Sequence, residues 1–536
     1  MMSPRGSLAS TRTGYVCAAA LAFAAATVGC HPEPHGDVVV FASGADLESA
    51  NPLVTIHPLA RQVQRYALFV TLARLDSSLA ARPYAATSWQ WSDDRRSLTL
   101  RLMPGLRWQD GAPTNAGDVA FTLEAARDPA TGFSRAAELS DLERIEAPDD
   151  STIVLRFVRA PPAFPEILCE LPIVPRHLLA SVPRAAMRSA EFNQSPIGNG
   201  PFLFRSRVRG QRWLLERNAD FPKALGGPPR IAELIIAVVD EASTKFAGLV
   251  AGDLDVAGIS PSMAELTERD PTLRVLSYPT LMSFAIVFAA HRPPFDDWRV
   301  RRAIELSLDR QRIVDGALAG FGVASASPLP PDHPFGSGAL ALRDTARADS
   351  LLDAAGWRRG ADRLRHRDGR ALEFELLTVG GADNAVEQLI QSDLARRGIR
   401  MFIRVRELGS FLTTARAPEK RFDALFTGIP GDLSLSYLSA MFDTRQAGGA
   451  LDYSSYHEPF LDSLLGAARS ALTPTQARTA WAQVQSAIVD SAPAVWVYHA
   501  RGVQGVSRRV SDISMDLRGE LVSVSRWHVA PAAEAR

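Results

Sequence analysis

The stretch Leu98–Ala126 reads as a strand, two turns and a helix in quick succession, and that order commits this part of the chain to mixed α/β architecture. Leu98, Leu100 and Leu102 alternate with Thr99, Arg101 and Met103, the period of a strand with one face buried. Pro104-Gly105 and Asp110-Gly111-Ala112-Pro113 are turn chemistry, because proline presets φ and glycine accepts positive φ. Thr114 or Asn115 can cap the helix that follows, with Asp118 in its first turn, where a negative charge suits the helix dipole. Val119, Leu123 and Ala126 then recur at helical spacing.

With 536 residues the chain is too long for a single core and implies two or three domains. Its 46% hydrophobic content is that of a soluble globular protein. Fifty-nine basic residues balance 59 acidic ones, so no net field draws the protein to nucleic acid or to an acidic surface. Arginine carries nearly all of the basic charge; lysine occurs only as Lys223, Lys245 and Lys420. There is no basic tail and no interleaved aromatic patch, which excludes a nucleic-acid interface.

Further elements follow from periodicity. Val38–Phe41 suits a buried first strand, Thr152–Phe157 and Trp213–Glu216 also read as strands, and Ile231–Val239 has the doubly apolar character of a covered sheet. Val300, Ala303, Ile304 and Leu308 form the apolar face of a helix, with Arg301, Arg302 and Glu305 expected on a solvated face. Phe374–Leu377, Ala385–Arg397 and Arg400–Val405 read as a βαβ unit. Ala477–Val489 is helical and Ala494–Tyr498 extended.

The amino terminus is an export signal. Arg5 and Arg12 precede an apolar run, Val16–Val28, too short to span a bilayer comfortably, which ends in Thr27-Val28-Gly29-Cys30. That ending resembles a bacterial lipobox, with Thr27 where leucine is usual, and implies lipidation at Cys30; cleavage at an ordinary secretory site nearby is the alternative. Residues 1–29 would be removed and 30–36 would form a short tether. Cys17 lies in the signal core, so the mature chain has no intramolecular disulfide, and Cys169 is expected to be a small buried side chain.

Five separated blocks resemble the ABC-transporter solute-binding family that takes peptides, nickel complexes and related solutes. The first is Leu100-Arg101, Gly105, Trp108, Asp110-Gly111, Pro113, Ala116, Asp118 and Val119. The second is Pro196-Ile197-Gly198-Asn199-Gly200-Pro201-Phe202, with Asn199 in place of threonine. Glu216-Arg217-Asn218 with Phe221, then Arg292–Asp297 leading into Val300–Ile304, and finally Ala354–Trp357 complete the set in order. The resemblance implies a two-lobed periplasmic-binding-protein fold of the α/β class, with an extra subdomain inserted in the first lobe. On that plan lobe I takes residues 37–58, 195–283 and 491–530, the insertion 59–194, and lobe II 284–490, with crossings near Tyr278–Ser283 and Ser491–Val495.

It also implies where a ligand sits. Relatives hold an extended peptide between the lobes, pair its main chain with protein strands, and receive its α-ammonium on an aspartate in a Gly/Asp-rich turn. Thr427-Gly428-Ile429-Pro430-Gly431-Asp432-Leu433-Ser434 matches that turn, so Thr427, Gly431 and Asp432 are candidate binding residues. Asp432 is the one acid retained there, and it equally suits a turn or a cap for the helix after it. Ser43 and Gly44 would offer backbone to the ligand; Phe288, Trp496 and Tyr498 either line the cleft or belong to the core.

The histidines form no HExxH, HxH or His/Cys cluster, and no nucleophile elbow or phosphate-binding loop is present. The chain is therefore expected to be no enzyme, to carry no cofactor or resident metal, and to act as a monomer. The expected function is that of a membrane-anchored envelope lipoprotein delivering an oligopeptide or similar small solute to ABC permease subunits. The alternatives are a ligand-sensing or chaperone-like lipoprotein on the same fold, or a receptor for a sugar or metal chelate.

Overall fold

A computed structural model describes residues 36–161, 163–336, 343–380 and 384–530. The expected signal segment and the expected lipidation site, Cys30, lie outside them. The described chain is organised around one sheet running through both lobes. Its main path is Arg400–Arg406, Glu373–Val379, Ala424–Pro430, Leu273–Phe288, Ala494–Ser507, Val256–Gly258, Val38–Ser43, Glu233–Val238, Arg212–Arg217 and Phe202–Val208. Gly322–Ala324 pairs with Ala494–Ser507 off this path.

Val38–Ser43 is buried on both faces, Val39 and Phe41 packing into one apolar cluster and Val40 and Ala42 into another. It runs parallel to both of its neighbours. Glu233–Val238 sends Leu234 and Ile236 into the first of these clusters, while Ile235 and Ala237 pack against the second. The βαβ unit forms as Glu373–Val379, Ala385–Ala395 and Arg400–Arg406, its two strands parallel.

Two long strands carry the chain between the lobes. Leu273–Pro279 pairs with Arg501–Ser507, and Ser283–Val287 pairs with Ala494–His499, with an irregularity between Pro279 and Ser283. Ser283 and His499 face each other at that break, Ser283 Oγ lying 2.7 Å from His499 Nδ1, and both are buried. Ala494–Tyr498 is covered on both faces: Val495 and Val497 pack in one apolar cluster with Ile286 and Phe288, and Ala494 and Trp496 in another with Ala285 and Val287.

Residues around the Leu98–Ala126 unit build a separate four-stranded antiparallel sheet, Ala86–Trp91, Ser97–Leu102, Thr152–Phe157 and Leu142–Asp149, with the helix Ala116–Arg127 packed beside it. Its motif residues hold the fold together. Asn115 caps the helix in a capping box with Asp118. Asp118 Oδ2 accepts from Asn115 N (2.9 Å) and from Trp108 Nε1 (3.3 Å), while Oδ1 accepts from Arg176 N (2.8 Å). The second block does similar work: Asn199 Oδ1 accepts from Val70 N at 3.0 Å, and Asn199 Nδ2 donates to Thr114 Oγ1 at 3.2 Å. A Cβ on Gly200 would lie 2.4 Å from Ala67 O, which explains glycine there.

The helix Trp298–Ser307 buries Val300, Ala303 and Ile304 as expected, but its charged residues are not a solvated face. Arg301 is buried and donates to the carbonyls of Phe295, Ser491 and Ala492, and Glu305 is buried too. The helix lies beneath the end of Pro474–Ser491, whose last carbonyls need donors that only a long side chain reaches.

Candidate ligand-binding site

An open pocket of about 330 Å³ lies beyond the carboxyl ends of Val38–Ser43 and Val256–Gly258, where open α/β sheets take ligands. Ser43, Gly44, Lys245, Gly258, Gln504 and Glu520 are among the residues lining it. Ser43 is buried and turned inward: its Oγ donates to Ala45 O, and its carbonyl accepts from Val239 N at 2.8 Å. Gly44 is different. Among the described residues its backbone N–H and C=O carry no hydrogen bond, and the residue is exposed. A Cβ there would sit 3.5 Å from Lys245 Nζ, an ordinary van der Waals contact.

Sequence reasoning missed the polar wall of this pocket. Tyr278 OH donates to Glu520 Oε1 at 2.7 Å, and Gln504 Nε2 reaches Tyr278 OH at 3.2 Å. Burial holds the Glu520 carboxyl above its usual range, opposed by the Tyr278 hydrogen bond and by Lys245. The Tyr278 ring lies against Gly502, where an added Cβ would come within 2.1 Å of it. Lysine scarcity was the only signal: Lys245 is one of three lysines in an arginine-rich chain.

The second-lobe candidates do not line this pocket. Thr427 is half-buried within Ala424–Pro430, opposite Ala285. Gly431 N donates to Leu281 O at 2.8 Å, and a Cβ on Gly431 would lie 2.6 Å from that oxygen, so this glycine serves the crossing strand. Asp432 holds its own turn. Oδ1 accepts from Ser434 Oγ (2.6 Å) and Ser436 N (2.9 Å), and Oδ2 from Ser436 Oγ (2.7 Å) and Tyr437 N (3.1 Å).

The aromatic residues fall to the core. Phe288 is fully enclosed and stacks on Phe295 at 4.5 Å, and Trp496 is buried with the opposite core. Tyr498 is buried against Phe284 at 4.7 Å. Each sits on a strand covered on both sides, so its side chain has no opening to reach.

A charged cluster around Glu170 also went unseen in the sequence. Glu170 is gripped by Arg65 and Arg135, and Arg135 is also paired with Glu138. Burial raises the Glu170 carboxyl, but the two guanidinium groups outweigh it and hold the group down at about 2. Glu166, one helical turn earlier, has its carboxyl pushed well up by burial and by Glu170, with Glu138 and Asp432 adding to this and Arg135 opposing it. Cys169 beneath them is buried, and burial pushes its thiol up, away from nucleophilic use. Among the described residues no group of His, Cys, Asp and Glu could hold a metal ion, and no helix is long and apolar enough to cross a membrane.

Residues 80–449 match the family described as "Bacterial extracellular solute-binding proteins, family 5 Middle". The chain belongs to that family. Among curated relatives it is 27% identical over 528 residues to Protein XP55 of Streptomyces lividans, covering 95% of this chain and 93% of the relative. It is 25% identical over 513 residues to the oligopeptide-binding protein AppA of Bacillus subtilis, covering 93% and 92%. The solved structure of that AppA, in complex with a nonapeptide, superimposes with a TM-score of 0.74 at 23% identity, covering 92% of this chain and 99% of that one. NikZ from Campylobacter jejuni, solved in complex with Ni(L-His), gives 0.76 at 22% identity, covering 92% and 99%. This solute-binding protein thus has the two-lobed periplasmic-binding-protein fold, and its family binds solutes outside the cytoplasm rather than transforming them.

Proposed function

We propose that this protein captures an oligopeptide or similar small solute between its lobes and delivers it to the permease of an ABC importer. The observation that carries the reading is Gly44. Among the described residues its N–H and C=O are unbonded, and they stand at the carboxyl ends of parallel strands, ready to pair with an extended main chain. The oligopeptide-binding relative from Bacillus subtilis, aligned over nearly the whole of both chains, supports the same solute class. Lobe I would take residues 37–58, 195–283 and the chain from about residue 500, with the insertion at 59–194; lobe II would take 284–490 together with Ala494–Tyr498. Closure follows if the solute binds the closed state more tightly than the open one, since equal affinities shift nothing. The receptor acts as a monomer, tethered to the envelope through lipid on Cys30.

Mass spectrometry of small molecules released from the protein, purified from its native envelope, tests the reading. Peptides of a narrow length range are expected; sugars or a metal chelate would replace the peptide assignment with another solute class. Cys30→Ser should release the mature protein from membranes, and continued retention would refute the anchor.

A further inference from the structure

Gln504 is a buried polar side chain in the wall of the Gly44 pocket, and its hydrogen bonding is incomplete. It lies on Ala494–Ser507 opposite Gly258, and both residues line the pocket. The position a Cβ would take on Gly258 is 3.8 Å from Oε1 and from Nε2 of Gln504, so the amide head itself meets that wall. The residue is only 4% exposed.

Tyr278 fixes which way the amide points. A phenol has a single proton to give. Tyr278 gives it to Glu520 Oε1 at 2.7 Å, so its oxygen can only accept from Gln504, and Nε2 supplies that bond at 3.2 Å. Oε1 is then turned away from Tyr278. It is buried and, among the described residues, nothing donates to it. Native structures leave few buried polar atoms unpaired, and such an exception marks a place where a partner is expected.

The rest of the wall decides what that partner is. Glu520 uses only Oε1, and Lys245 Nζ has neither hydrogen bond nor ion pair among the described residues. The lysine and the acid are opposite in sign, so the pocket favours a neutral group over an ion. An ammonium or guanidinium group would meet Lys245, and a carboxylate would meet Glu520 with no proton for Gln504. A primary carboxamide has two N–H donors and a carbonyl acceptor, which answers all three side chains at once.

We propose that Gln504 makes this pocket selective for a solute carrying a primary carboxamide side chain, the Asn or Gln of a bound peptide. Gln504 Oε1 and Glu520 Oε2 receive its N–H groups, and Lys245 Nζ donates to its carbonyl oxygen. This rests on the peptide reading above and concerns a side chain of the solute; its main chain stays with Gly44.

The test offers the full mature protein a mixture of random tetrapeptides, recovers what is retained after gel filtration, and identifies it by mass spectrometry. The readout is a ratio within each sample, Gln-bearing peptides against their Glu-bearing and Met-bearing counterparts, relative to the input. In the wild type that ratio should be about tenfold or more over both, because a polar wall left unpaired rejects the analogue that lacks the group. Gln504→Met, of similar length without the amide, should bring the Gln-to-Met ratio close to that of the input. Lys245→Met should lower the ratio by about fivefold, the worth of one hydrogen bond. Peptides retained by the wild type without this preference, or a preference that survives Gln504→Met, would overturn the carboxamide site and leave the peptide reading intact. Should Gln504→Met fail to fold, Lys245→Met decides, and an unchanged ratio there overturns the proposal. Failure of the wild type to retain any tetrapeptide removes the peptide reading and the carboxamide site together.

Discussion

Acid should weaken this protein through His499, at the point where the two long strands cross. The ring is buried against Ser283, and burial pushes its imidazole from an ordinary value near 6.5 down to about 4, offset only in part by the backbone at Ser327 and Leu329. In the unfolded chain the same ring titrates normally. Between those two values the unfolded state therefore holds a proton that the folded state lacks, so stability falls as pH drops from about 6.5 toward 4. At pH 5 the difference in proton binding contributes RT ln 30, about 2 kcal/mol, and at pH 7.5 almost nothing. Urea unfolding of wild type and His499→Gln at both pH values isolates the effect, because glutamine stays neutral and can still bond Ser283. The wild type should lose about 2 kcal/mol more than the variant over that interval. Parallel losses in the two proteins would refute the assignment of a neutral, desolvated His499.

Other variants probe the packing around the site. Glu170→Gln should destabilise by about 3 kcal/mol in urea unfolding, because it leaves the half-buried Arg65 and Arg135 without their shared carboxylate. Asp118→Ala should cost about 3 kcal/mol in the same assay, since three donors (Asn115 N, Trp108 Nε1 and Arg176 N) lose one acceptor group. Asp432→Ala should cost about 1 kcal/mol by thermal unfolding, the worth of a helix cap, whatever its effect on binding.

Much of the fold was legible from local pattern. Leu98, Leu100 and Leu102 alternate because one face of their strand meets the core, and the βαβ unit declared itself through its change of period. The conserved-looking blocks marked the family because they weld its frame: Asp118 collects donors from three elements, and Gly200 permits a backbone contact no other residue allows. The site was less legible. Asp432 looked like a ligand group because spacing cannot say whether a carboxylate faces a cleft or its own turn, and Phe288 and Trp496 looked like cleft residues because an apolar strand carries no mark of what covers it.

The sequence by itself determined the order of elements, the family and the frame residues, because these depend on neighbours a few positions apart and on backbone conformations that only glycine, proline or a capping side chain supplies. Only the tertiary structure decided that Arg301 is buried and that Ser283 and His499 meet at the break between the two long strands. Those facts are set by side chains from segments far apart in the chain: Arg301 meets Ser491, and Ser283 meets His499. Burial and charge act through space, so no local window on the chain contains them.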